Sequence, residues 1–115
     1  MSEPGVTQAD RYATVVAELC HRHARVEAGS DGKRGFGSAA LKAHGKIFAM
    51  LDSRGEFVVK LPRQRVEALI ASGLGQSFHA GKGRPLKEWV TVTNRSLEVW
   101  LVLADEALAY VSPGV

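Results

Sequence analysis

KIFAMLDSRGEFVVKL, residues 46–61, is the stretch on which the fold turns. Two runs rich in β-branched and aromatic residues, Lys46–Asp52 and Glu56–Leu61, flank Ser53-Arg54-Gly55 and read as neighbouring antiparallel strands across a glycine turn. Strand alternation sets Ile47, Ala49 and Leu51 on one side and Phe48 and Met50 on the other. If helices cover only one of those sides, the other needs a lid, and a second copy of the chain is a natural candidate.

Reading outward toward the N-terminus, His44-Gly45 is a turn and Ala39–Ala43 a further short strand. AGSDGKRGFGS, residues 28–38, carries four glycines and reads as a loop. Before it, Thr7 is placed to cap a helix, with Asp10 closing a capping box three residues on. That helix is expected from Gln8 to about Val26, with Tyr12, Val16, Leu19, His23 and Val26 on one face. Residues before about 7 read as a disordered tail.

Toward the C-terminus, Pro62 suits the first turn of a helix and Gly73 its end, so Arg63–Ser72 is helical, with Val66, Leu69 and Ile70 on one face. GQSFHAGKGRP, residues 75–85, then reverses the chain into a fourth strand, Lys87–Thr93. The last element is a helix from about Arg95 to Val111, capped by Asn94 and ended by Pro113. Leu97, Trp100, Leu101, Ala104, Ala107, Leu108 and Val111 form its stripe. Val99 and Val102 fall off that stripe, so its first turns are expected to be covered on more than one side. The expectation is an α+β fold in the order α-β-β-β-α-β-α, an antiparallel sheet of about four strands packed by helices. A single domain over 1–115, with its core over about 7–111, follows from the length and the absence of repeats.

Composition narrows the function. Apolar residues make up 45% and charged residues 23%, a globular balance. The lone cysteine, Cys20, cannot form an intrachain disulfide and suits a reducing compartment. No apolar run approaches the length of a membrane span, and MSEPGVTQAD has neither a basic start nor an apolar segment of the secretory kind, so the cytoplasm is the expected location. Fifteen basic against 12 acidic residues give a net charge of +3, which permits an anionic partner without demanding one.

The motifs of catalysis fail on spacing. Gly75 and Gly81 are too far apart for a nucleotide P-loop, Gly83 stands where its hydroxyl belongs, and the segment runs from helix to strand, the reverse of what an anion-binding helix N-terminus requires. Gly35-Phe36-Gly37 lacks the third glycine and the βαβ setting of a dinucleotide fingerprint. His21 and His23 lie two apart on a helix and diverge, while His44 and His79 are isolated, so no metal site is expected. His23 reads as part of an amphipathic face, and Cys20 as a small apolar residue on a helix flank. Ser38 and Ser77 are outside any nucleophile elbow. No catalytic residue, cofactor or enzyme activity is expected. What remains is binding: Lys82, Arg84 and Lys87 beside Trp89 join charge to an aromatic platform, and Lys33 and Arg34 could extend the same surface. The competing reading puts Trp89 in the core and leaves the basic residues simply solvating a loop.

GFGSAALKAHGKIFAML (35–51), VVKLP (58–62) and GRPLKEWVTV (83–92), followed by a tryptophan-bearing helix ending ALAYV (107–111), together resemble the N-terminal domain of the TfoX/Sxy family. Gly35 stands where that family usually carries a methionine. The resemblance implies an α+β fold of the MmcQ/YjbR-like kind and supplies no catalytic constellation. The better-known members are bacterial regulators of competence for DNA uptake with a second, C-terminal domain, which this sequence is read as lacking, so competence regulation is not carried over. The leading expectation is a small non-enzymatic regulatory module working through protein contacts, with a homodimer as one form of such contact. The alternative is a nucleic-acid-binding protein that uses the basic glycine-rich loop.

Overall fold

The computed structural model describes residues 7–24, 26–29, 40–52, 54–79 and 86–112. Its first element, α1 (Gln8–Arg22), starts as the capping box dictates: Thr7 Oγ1 accepts from the Asp10 amide at 3.0 Å, and Asp10 Oδ2 accepts from the Thr7 amide at 3.1 Å. The helix buries Tyr12, Val15 and Leu19 and ends before the expected Val26, because His23 turns extended. Val26 is still buried, but it reaches the core from the connection that leads into β1 (Glu27–Gly29). This strand lies where a loop was expected; three residues ending in glycine are too few to show an alternation.

β1 pairs antiparallel with β2 (Ala40–Ala43), which turns through His44 and Gly45 into β3 (Lys46–Leu51). Both turn residues have positive φ, 55° and 77°, the hand that matches strand twist in a two-residue hairpin. Leu41 pairs with Ala49 while Lys42 pairs with Ile47, so Phe48 is an extra residue, a β-bulge. The bulge corrects the expected alternation: Phe48 and Ala49 are neighbours in sequence and both wholly buried, whereas Ile47 is exposed.

Asp52 makes the next turn, its Oδ1 accepting from the amides of Arg54 (2.8 Å) and Glu56 (2.9 Å), and β4 (Phe57–Lys60) returns beside β3. α2 (Arg63–Ser72) starts after Pro62 and stops at Gly73, φ 86°. There the Gly73 amide donates to the Ile70 carbonyl and the Leu74 amide to the Leu69 carbonyl, a Schellman closure. Both ends match the sequence reading.

The glycine–lysine stretch that follows is not a simple reversal. Its first residues form β5 (Gly75–Phe78), paired antiparallel with β6 (Leu86–Val92). Gly75 is a close-approach glycine: a Cβ there would stand 2.6 Å from Val90 Cγ2 and 3.2 Å from the Thr91 carbonyl oxygen, so a side chain would crowd the neighbouring strand β6. The sheet therefore has six strands, all antiparallel, in the order β1-β2-β3-β4-β6-β5, and not the expected four.

α3 (Leu97–Val111) is capped by Ser96, whose Oγ accepts from the Val99 amide, rather than by Asn94. Asn94 instead holds the entry, its Oδ1 accepting from the Ser96 amide and its carbonyl from Trp100 Nε1 at 2.7 Å. Leu41, Ala49, Val59 and Val90 are partners across four strands and share one core with Tyr12, Leu19, Val66, Leu69, Trp100 and Leu103, so all three helices lie against the same sheet face. Val58 is buried but absent from that core, as alternation from Phe57 and Val59 requires. Ion pairs tie the helices together at their rims: Arg22 to Asp105 at 2.9 Å, and Arg65 to Glu106 through two hydrogen bonds of 2.8 and 3.0 Å. No helix among the described residues is long and apolar enough to cross a membrane.

Candidate functional site

The helices leave the second face of the sheet without a described element packed on it. Residues alternate out of the core onto this face at Met50 on β3, Val58 and Lys60 on β4, Lys87, Trp89 and Thr91 on β6, and Gln76 on β5. Register makes neighbours of residues distant in sequence: Lys60 faces Trp89, and Val58 faces Thr91, which in turn faces Gln76. A shift in the β5–β6 pairing after Ser77 carries Phe78 alongside Trp89, ring centroids 6.4 Å apart and inclined at 50°.

Trp89 is half-buried, and Lys60 Nζ stands 5.3 Å from its ring centroid, within cation–π range. The same ammonium is 3.4 Å from Glu88 Oε1. Lys87 is exposed two residues before Trp89. Farther along β6 the face sinks into a shallow concavity of about 330 Å³ between the β3–β4 turn and β5. Its lining is polar: Arg54, Arg95 and His79 bring positive or protonatable groups, Gln76, Thr91 and Thr93 bring neutral donors and acceptors, and Asp52 and Glu56 bring carboxylates. Asp52, one of whose oxygens also accepts from two backbone amides, and Glu56 together balance the two arginines.

A second concavity, about 280 Å³ and apolar, lies between α2 and α3, lined by Leu69, Leu74, Val99, Val102 and Leu103 with Arg65 and Glu98 at its rim. Val99 is partly buried against the core, but Val102 is 55% exposed, which corrects the expectation that α3 is covered at that position.

Of the residues singled out in the sequence, Lys87 and Trp89 sit on this open sheet face; Lys33, Arg34, Lys82 and Arg84 lie outside the described residues. Trp89 is not a core residue: the core tryptophan is Trp100. His23 caps α1 and approaches Asp105, with Nε2 to Oδ1 at 3.4 Å. His44 occupies a turn and His79 the rim of the polar concavity. Cys20 is partly buried, 4.0 Å from the Val26 carbonyl. Among the described residues, no three histidine, cysteine, aspartate or glutamate side chains gather into a metal-binding group. Sequence reading missed Lys60, Phe78 and Arg95. Alternation from Val58 could have placed Lys60 on the outer face, but nothing local marks Phe78, whose position depends on cross-strand register.

No family model matches the chain, and no curated protein and no solved structure matches it.

Proposed function

We propose that this chain is a small non-enzymatic binding module of regulatory role, and that its working surface is the sheet face opposite the helices. The observation that carries the reading is one-sided packing: three helices share one core on one face, while Trp89, Phe78 and Lys60 meet on the other. A half-buried tryptophan backed by a second ring and a lysine is the type of group that supplies a large share of binding energy when a partner covers it. The resemblance of residues 35–111 to the TfoX/Sxy N-terminal domain supports the same reading, since that family brings no catalytic constellation. A single cysteine and a moderate positive charge fit such a module in a reducing, cytoplasmic setting.

In-cell photo-crosslinking tests the proposal, with a benzophenone amino acid placed either at Lys87 on the open face or at Gln64, exposed on α2. Covalent adducts from position 87, several-fold above those from position 64, are expected. Equal yields, or adducts from position 64 alone, would remove the open face as the working surface.

A further inference from the structure

We infer that the open sheet face binds single-stranded nucleic acid, with Trp89 as the platform on which a base stacks and Lys60 and Lys87 as the cations that meet the phosphates beside it. This inference rests on the proposed reading of that face as the binding surface and names what it binds.

Three observations converge on this partner. First, the face pairs an aromatic plane with cations on adjoining positions, the combination that single strands require: every base offers a π-face, and every nucleotide brings one negative charge. Lys60 faces Trp89 across the β4–β6 ladder, and Lys87 follows it along β6. Glu88 contacts Lys60 at 3.4 Å, but it is 45% exposed and one carboxylate against two lysines. Second, the face runs on in the same direction into the polar concavity, whose lining joins Arg54 and Arg95 to Gln76 and Thr91, with Asp52 and Glu56 among them. From Lys87 to Thr93 is six strand steps, roughly 20 Å at about 3.3 Å per residue, so a strand that touches both ends must be several nucleotides long. The concavity offers cations for phosphate and an amide and hydroxyls for a base edge. Third, the face offers two separate points of contact. Val58 and Thr91, on the same face between Trp89 and the concavity, are buried, so a bound strand touches the Trp89 end and the concavity and not the stretch between them.

Geometry also separates single strands from duplex. Within a duplex the base faces are stacked on one another, so Trp89 can reach one only in an unpaired strand. A protein partner would satisfy the aromatic pair equally well; what separates the two is the Trp89 end, where Lys60 and Lys87 stand against the single carboxylate of Glu88, since Asp52 and Glu56 already balance Arg54 and Arg95. Charge complementarity therefore favours a polyanion.

The test is a titration of the purified chain against labelled single-stranded DNA and RNA oligonucleotides and a duplex of the same sequence, at about 50 and 200 mM salt. Binding to single strands is expected to weaken about 20- to 50-fold across that range, from three or four phosphate contacts on a strand with a slope of about −0.7 each. Trp89→Ala should weaken it roughly 5- to 150-fold, and Trp89→Phe, which keeps a ring, should weaken it less. Lys87→Glu should weaken binding and flatten the salt slope. Trp89 fluorescence should be quenched on binding while Trp100, buried against Phe57, is not, so the quench should vanish in Trp89→Phe. An unchanged urea midpoint in Trp89→Phe and Lys87→Glu separates lost binding from lost fold.

Absence of binding at 50 mM salt, equal affinity for duplex, or indifference to both Trp89→Ala and Lys87→Glu would overturn the inference. The crosslinks at position 87 divide the two claims. Nuclease-sensitive adducts support both. Protease-sensitive, nuclease-resistant adducts, including one at twice the mass of the chain, retain the binding face and overturn its nucleic-acid partner. No adducts from position 87 overturn both.

Discussion

Trp100 lies nearly flat against Phe57, ring centroids 4.3 Å apart and planes 13° from parallel, with no exposed surface. Trp89, on the other side of the same sheet, is half-buried and inclined at 50° to Phe78. Their polar surroundings are alike in one respect and differ in another. A cation stands over each ring, Arg11 at 5.2 Å from Trp100 and Lys60 at 5.3 Å from Trp89, but the Trp100 indole N–H is also held by the Asn94 carbonyl at 2.7 Å, as an interior tryptophan requires. The comparison teaches that residue type does not assign a role here; the side of the sheet does. On the covered face an aromatic sets helix against sheet, and on the open face it keeps contact area available for a partner.

The widest separation between the faces should appear in stability. Trp100→Ala is expected to cost about 3–5 kcal/mol by urea denaturation, the range for removing a large buried aromatic, and Trp89→Ala to cost less than half as much. Equal losses would make β6 a core strand on both sides and break the comparison. Gly75→Ala comes next, at about 1–3 kcal/mol, because the added methyl must displace the Val90 side chain and crowds the Thr91 carbonyl. A thermal midpoint equal to that of the parent would show that Val90 turns aside without cost and that the approach of β5 to β6 does not demand glycine.

A smaller effect is read in alkaline solution. Burial raises the Tyr12 phenol well above its ordinary value of 10.0. The folded chain keeps that proton, while the unfolded chain releases it as pH passes 10, so the stability present below pH 10 declines above it. One pH unit beyond, this amounts to about 1 kcal/mol. The fall in urea midpoint from pH 9 to pH 11 should therefore be shallower in Tyr12→Phe than in the parent; identical slopes would place the phenol in water. Smallest is Lys87→Glu on the open face, expected to leave stability within about 0.5 kcal/mol. A larger loss would mean that this lysine supports the fold.

Much of the fold was legible because local chemistry and tertiary structure agree. Thr7 with Asp10 announces α1, Pro62 and Gly73 bracket α2, and the glycine turns separate β2, β3 and β4. The two missing strands were hidden for physical reasons. β5 has glycine at its buried position, where helix α2 approaches, and polar residues at the next two, so it carries no apolar alternation. β1 is simply short. The Phe48 bulge was equally invisible, since it exists only in the pairing of two strands. Asn94 and Ser96 are both good capping residues; the Asn94 side chain accepts from the Ser96 amide in the entry turn, and Ser96 takes the cap. The candidate site divides along the same line. Lys87 and Trp89 declared themselves by type and proximity, while Lys60, Phe78 and the arginines of the concavity join them only through register.

The ends of the sheet have a consequence for behaviour at high concentration. Among the described residues, its two outermost strands are β1, three residues long, and β5, four, so each offers only a short row of unpaired backbone groups to another molecule. Brevity at the margins is a known defence against open-ended polymerisation, because a neighbour that adds there gains few hydrogen bonds for the order it must accept. Contact between molecules is thereby turned away from edge-to-edge growth and toward the flat of the sheet, where an encounter can be finite and reversible.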